Sequence, residues 1–117
     1  MEKIWLKSYP SGVPADINPE QYKSLVQLLD ESFKKNAANP FSVCMEKWMT
    51  YKQVDELSTA LGAWLQSQGL EPGSRVAIML PNIPQFSVTM AGILRAGYTC
   101  VNVNPLYTPR ELEHQLK

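Results

Sequence analysis

Val76-Ala77-Ile78-Met79-Leu80, then Pro81-Asn82-Ile83-Pro84, then a helical stretch to Gly97, then Tyr98 to Val103: this order decides the fold. The first run is apolar at every position, as a strand covered by helices on both faces requires. The two prolines break it and start a helix, along which Phe86, Met90, Ile93 and Leu94 recur at helical spacing. Gly97 ends that helix and a second strand follows. A strand-helix-strand crossover of this kind is nearly always right-handed and parallel. The fold class is therefore α/β, part of a three-layer αβα arrangement.

Working outward, each flanking segment carries its own punctuation. Upstream, Ser24 and Gln27 have capping-box spacing and open a helix with Leu25, Leu28, Leu29 and Phe33 on one face. Asn36 to Pro40 end it. Phe41, Val43 and Met45 alternate with Ser42 and Cys44 as a half-buried strand, and a turn at Glu46-Lys47 leads to a short second strand at Trp48-Met49. Thr50 and Gln53 form another capping box. The helix behind them should bury Val54, Leu57, Leu61, Trp64 and Leu65, with Gly69 at its C-terminus. Downstream, Asn104-Pro105 turns out of the sheet. Thr108, Pro109 and Glu111 then cap and start a last helix. Leu112 and Leu116 begin an apolar stripe there, so the reading expects a larger α/β domain of which this is a piece. Residues 1–23, punctuated by Pro10, Pro14 and Pro19, read as an extended arm. Residues 24–117 read as an incomplete α/β subdomain.

Composition excludes several functions. The 117 residues fit one domain, able to bury roughly two-thirds of the unfolded chain's surface. Lys plus Arg equals Asp plus Glu at 11 each, and this balance does not suggest a nucleic-acid binder. Cys44 and Cys100 sit in apolar runs without metal-ligand spacing and read as reduced, buried thiols of a reducing compartment. No run approaches the ~18 apolar residues of a membrane span, so the expectation is a soluble protein with peripheral membrane contact left open. The one histidine, His114, lacks ligand partners and reads as a surface residue. The six glycines form no phosphate-cradling loop, and no serine sits in a nucleophile elbow. Glu111 and Glu113 suit a helix dipole better than a shared proton. No catalytic or metal-binding residue is assigned. Asn82 and Asn104 are weak cofactor-binding candidates: they lie just past the C-terminal ends of the two strands, where open α/β sheets bind ligands. Turn chemistry explains them equally. Trp48-Met49-Thr50-Tyr51 reads either as an aromatic contact site or as a strand running into a capped helix.

Three segments carry a resemblance. Leu94-Arg95-Ala96-Gly97, with its following strand and Asn104-Pro105 turn, resembles an early motif of the adenylate-forming enzymes. Thr50-Tyr51-Lys52-Gln53-Val54 and Gly69-Leu70-Glu71-Pro72-Gly73-Ser74-Arg75-Val76-Ala77 resemble two more, with Val54 where Leu is usual and Ser74 where Asp is usual. The ends, Trp5-Leu6-Lys7, Ile17-Asn18-Pro19-Glu20-Gln21-Tyr22 and Val103-Asn104-Pro105-Leu106-Tyr107-Thr108-Pro109-Arg110-Glu111-Leu112, are similar to bacterial long-chain fatty acyl-CoA ligases.

The resemblance implies a Rossmann-like N-terminal subdomain of the adenylate-forming fold. It implies a parent enzyme that uses ATP, Mg2+ and coenzyme A to convert a long-chain fatty acid to its thioester through an acyl-adenylate. The family's phosphate loop, magnesium-associated glutamate, ribose-binding aspartate and C-terminal lysine have no counterpart before Lys117. The piece should therefore be inactive scaffold that binds no cofactor. The resemblance also implies a cytoplasmic homo-oligomer, peripheral at most to the inner face of the membrane, with the arm as subunit contact. Two alternatives stand beside it. One is a fragment of another adenylate-forming enzyme, an acyl-AMP ligase or an aryl- or amino-acid-activating domain. The other is a free-standing α/β interaction module. The isolated piece, with an open sheet edge and no net charge, is expected to self-associate or unfold easily.

Overall fold

A computed structural model describes residues 3–117 of the chain. A short 3-10 helix, Ile4–Ser8, interrupts the arm, which is otherwise irregular. Then come α1 (Leu25–Lys35), β1 (Pro40–Cys44), β2 (Lys47–Thr50), α2 (Tyr51–Gln66), β3 (Arg75–Ile78), α3 (Pro84–Arg95), β4 (Thr99–Asn102) and α4 (Pro109–Leu116). β1 and β2 form an antiparallel hairpin, and β3 and β4 a parallel pair in the register Val76 to Cys100 and Ile78 to Asn102. The strand-helix-strand reading holds, with both strands shorter than the apolar runs that announced them.

One face of the parallel pair carries the main core. Val76, Ile78, Leu80, Tyr98 and Cys100 pack there against Leu61 and Leu65 of α2, Phe86, Met90 and Ile93 of α3, and Ala96 at the end of α3. On the other face Ala77 and Met79 are exposed, against the expectation of cover on both sides. The described helices α2 and α3 lie on one side only, so alternate residues of the run are buried. A second cluster joins Phe33 of α1, Val54 of α2 and Ala91 of α3 with Phe41 and Tyr51. Phe33, Phe41 and Tyr51 meet edge to face, with ring centroids 5.0–6.4 Å apart.

The helix ends follow their sequence signals closely. Thr50 and Gln53 close a full capping box, as do Thr108 and Glu111. At α1 the box is only half made: Ser24 Oγ accepts from the Gln27 amide at 3.1 Å, but the Gln27 side chain accepts from Lys23 instead of Ser24. α3 ends in a Schellman motif, in which the Tyr98 amide donates to the Ile93 carbonyl and the Gly97 amide to that of Leu94. Gly97 has φ +85°, which favours glycine, and the accompanying apolar contact between Tyr98 and Ile93 is part of the core.

Three face assignments need correction, the first on α1, where Leu25 is exposed while Leu28, Leu29 and Phe33 turn inward. On α2, Leu57 and Trp64 are exposed at 49% and 58%, while Ser58 and Gly62 are buried with Val54 and Leu65. The buried stripe runs through the small residues because α3 packs too close for large ones. On the hairpin, the pairing shifts between Pro40 and Ser42, so Phe41 and Ser42 are both half-buried and Val43 is exposed. A bulge breaks the two-residue alternation in this way. Met45 is not the next strand residue. It forms the two-residue turn with Glu46, both at positive φ (47° and 62°), and is 92% exposed. That conformation closes a tight hairpin.

Arg95 ties three helices together. Its Nη2 donates to Asp30 of α1 at 2.6 Å and to Asp55 of α2 at 2.5 Å. Its Nη1 donates to the Asp55 carbonyl and to the hydroxyls of Ser58 and Thr59, at 2.7–2.8 Å. The guanidinium also lies 5.2 Å from the Phe33 ring centroid. Burial acts to lower its pKa, but the hydrogen bonds to Asp30 and Asp55 outweigh this and the net shift is upward. Ser58, fully buried, has its hydroxyl satisfied by Arg95 and by the Asp55 carbonyl. Arg95→Met should therefore destabilise the chain by about 1–2 kcal/mol, since it removes the partner of two half-exposed carboxylates and one of the two partners of the buried Ser58 hydroxyl. Arg95→Lys should recover less than half of that, because one ammonium cannot span the forked contacts. Urea unfolding of both variants, followed by circular dichroism at low chain concentration, checks this. Equal stability of Lys and Arg would contradict the forked geometry.

Candidate functional site

The C-terminal edge of the parallel pair is where Asn82 and Asn104 were expected to matter, and the structure gives them different surroundings. Asn104 is engaged by its own turn. Its Oδ1 accepts from the Leu106 amide at 3.0 Å and its carbonyl from the Tyr107 amide at 3.1 Å. This is the local Asx geometry that makes Asn a turn residue. Asn82 is exposed and lines a cleft of about 250 Å³ with Ser42, Val43, Ile83, Phe86 and Ser87. The cleft lies between the β1–β2 hairpin and the start of α3. Ile83, the residue capping α3, offers no side-chain hydrogen bond. The Ser42 hydroxyl, shut away from solvent, has no partner among the described residues.

A second concave surface of about 990 Å³ follows α4 and its lead-in, and Tyr107, Thr108, Arg110, Glu111, His114 and Gln115 line it. Gln115 Nε2 donates to the Asn102 carbonyl at 2.8 Å, so α4 is fastened to the end of β4. Thr108 holds the Glu111 carboxylate: its hydroxyl and its amide both donate to Oε2, at 2.7 and 2.8 Å. These bonds lower the Glu111 pKa, the hydroxyl contributing most. Glu111 is thus a capping carboxylate. His114 stands exposed on this surface.

The chemistry these residues can perform is limited. The cleft beside Asn82 presents an amide, the Ser87 hydroxyl and apolar carbons, which can donate and accept hydrogen bonds but move no proton. No group of three or more His, Cys, Asp or Glu side chains among the described residues could hold a metal ion. Cys44 and Cys100 are unpaired. Burial raises the Cys100 pKa, which disfavours the nucleophilic thiolate. The strand-end side chains do not by themselves fit a magnesium-bound triphosphate, which needs cations and a carboxylate ligand.

The residues of the three resemblance motifs are structural in the fold. Thr50 caps α2, Tyr51 joins the aromatic cluster and Val54 is fully buried. Arg95 makes the three-helix contact and Gly97 the Schellman turn. Of the Trp48-Met49-Thr50-Tyr51 run, Tyr51 and Met49 pack inward and only Trp48, 66% exposed, faces out. The role of Arg95 was not read from the sequence. Its motif marked it, but its acidic partners lie 40 and 65 residues away, which no local spacing reveals.

Comparison with known proteins places this arrangement. A family model described as AMP-binding enzyme matches residues 29–117. The chain is 53% identical to a long-chain-fatty-acid–CoA ligase of Salmonella typhimurium over 99% of its own length and 21% of the ligase. It thus spans about a fifth of that relative. It is 41% identical to syringomycin synthase SyrB1 of Pseudomonas syringae pv. syringae over 56% of the chain and 11% of that protein. Among solved structures it is similar to the N-terminal subdomain of Klebsiella oxytoca NpsA in complex with 3-hydroxyanthranilyl-AMSN. The TM-score is 0.77 and the identity 25%, over 81% of this chain and 24% of that one.

The Glu111 geometry makes a prediction about acid. Its pKa in the folded chain lies below the ordinary 4.5, so the capping contribution is present above that value. It is lost as pH falls through the folded pKa. The first turn of α4 should fray in wild type as the pH falls below the ordinary carboxylate range and through the lowered folded pKa. In Glu111→Gln that acid dependence should disappear. Amide NMR shifts of residues 108–112 across pH 2–6 give the measurement; identical titration curves in both proteins would contradict the assignment.

Proposed function

The chain belongs to the AMP-binding enzyme family, and we propose that it is the N-terminal scaffold of a long-chain-fatty-acid–CoA ligase. In this reading the whole protein joins a long-chain fatty acid to coenzyme A at the expense of ATP, with Mg2+, and the groups that act on the phosphates come from other segments. The observation that carries the proposal is the reach of the similarity. The AMP-binding model begins at residue 29, whereas the Salmonella typhimurium ligase aligns over 99% of the chain and so includes the arm. SyrB1, by contrast, aligns over about half. Similarity that extends through the arm supports the fatty-acyl reading over an amino-acid- or aryl-activating one.

The structure supports a scaffold role through what its edge residues can and cannot do. Asn104 shapes a turn, Asn82 offers one amide beside a small cleft, and α4 is fastened to β4 by Gln115. We propose that residues 24–117 act as a backing layer, a subdomain that presents this edge to the remainder of the enzyme. The arm, residues 1–23, is proposed as a contact between subunits. Its residues Ile4, Trp5, Tyr9, Val13 and Ile17 are all exposed, and the Cα radius of gyration is 17.7 Å. A compact domain of this size would have about 13 Å. No helix of the described residues is long and apolar enough to cross a membrane. A cytoplasmic setting is proposed from the two unpaired thiols.

A chimera tests the main reading. The segment of the Salmonella typhimurium ligase that matches this chain is replaced by it, and acyl-CoA formation is measured with oleate, anthranilate and amino acids. The expected result is oleate-dependent activity in the chimera, none with the other acids, and none with the 117-residue chain alone. A folded chimera that ignores oleate would contradict the proposal. Removal of residues 1–20 from the active chimera tests the arm: light scattering should show a smaller assembly, and an unchanged mass would overturn that part.

A further inference from the structure

We draw no further inference here: the strongest candidate, the exposed apolar face at the tip of the β1–β2 hairpin formed by Val43, Met45 and Trp48, is an unpartnered surface, and nothing in the structure shows what covers it.

Discussion

The close approach of α2 and α3 at Gly62 and Gly92 is the constraint on which the other contacts depend. A Cβ at Gly92 would stand 3.0 Å from Leu61 Cδ2, and one at Gly62 would stand 3.1 Å from the Gly92 carbonyl oxygen. The first would press on the Leu61 side chain and the second on the backbone of α3, and each neighbour would have to give by a few tenths of an ångström in an interior that tolerates little overpacking. The same Cβ at Gly62 would stand 3.6 Å from Arg95 Cβ, so the arginine leaves α3 directly over the glycine. It is therefore close enough to α2 for its guanidinium to meet Asp55, Ser58 and Thr59 at once. The other edge of the guanidinium reaches Asp30, and its face lies against Phe33, so α1 is held by the same group. Two glycines thus decide where an arginine stands, and the arginine decides where a third helix docks.

That chain of cause explains which parts of the fold were legible in the sequence. Strand, helix and turn boundaries depend on local chemistry. Pro84 at the start of α3, the Thr50 and Thr108 capping boxes and Gly97 at a helix end are all visible within a few residues. Which face of a helix is buried depends on the neighbour. On α2 the reading chose the large apolar residues Leu57 and Trp64, and the close contact selected Ser58 and Gly62 instead. Serine at a fully buried position looks wrong until Arg95 is placed beside it. The hairpin misled for a related reason. A bulge near Phe41 shifts the pairing by one residue, and the period of two cannot show a bulge that no glycine marks.

The motifs behind the family resemblance point to folding more than to chemistry. Thr50, Tyr51, Val54, Arg95 and Gly97 cap, pack, clamp and terminate. A family can be identified from such residues because the packing they produce is as demanding as an active site. The candidate site was less legible. Asn82 and Asn104 were placed by a rule about strand ends, and that rule does not say what each side chain does there. Asn104 bonds to its own turn, while Asn82 remains free to face whatever adjoins the cleft.

In the proposed reading these residues supply architecture to an ATP-dependent ligase, and the groups that bind the nucleotide come from other segments. The test is a titration with ATP and Mg2+ of the dilute, isotopically labelled 117-residue chain, followed by amide NMR under conditions where a dispersed spectrum shows the chain folded. The account predicts no saturable shift at Asn82, Asn104 or along α4 at millimolar nucleotide. Saturable shifts clustered at the C-terminal edge of β3 and β4 would contradict it and would place a nucleotide site within these residues.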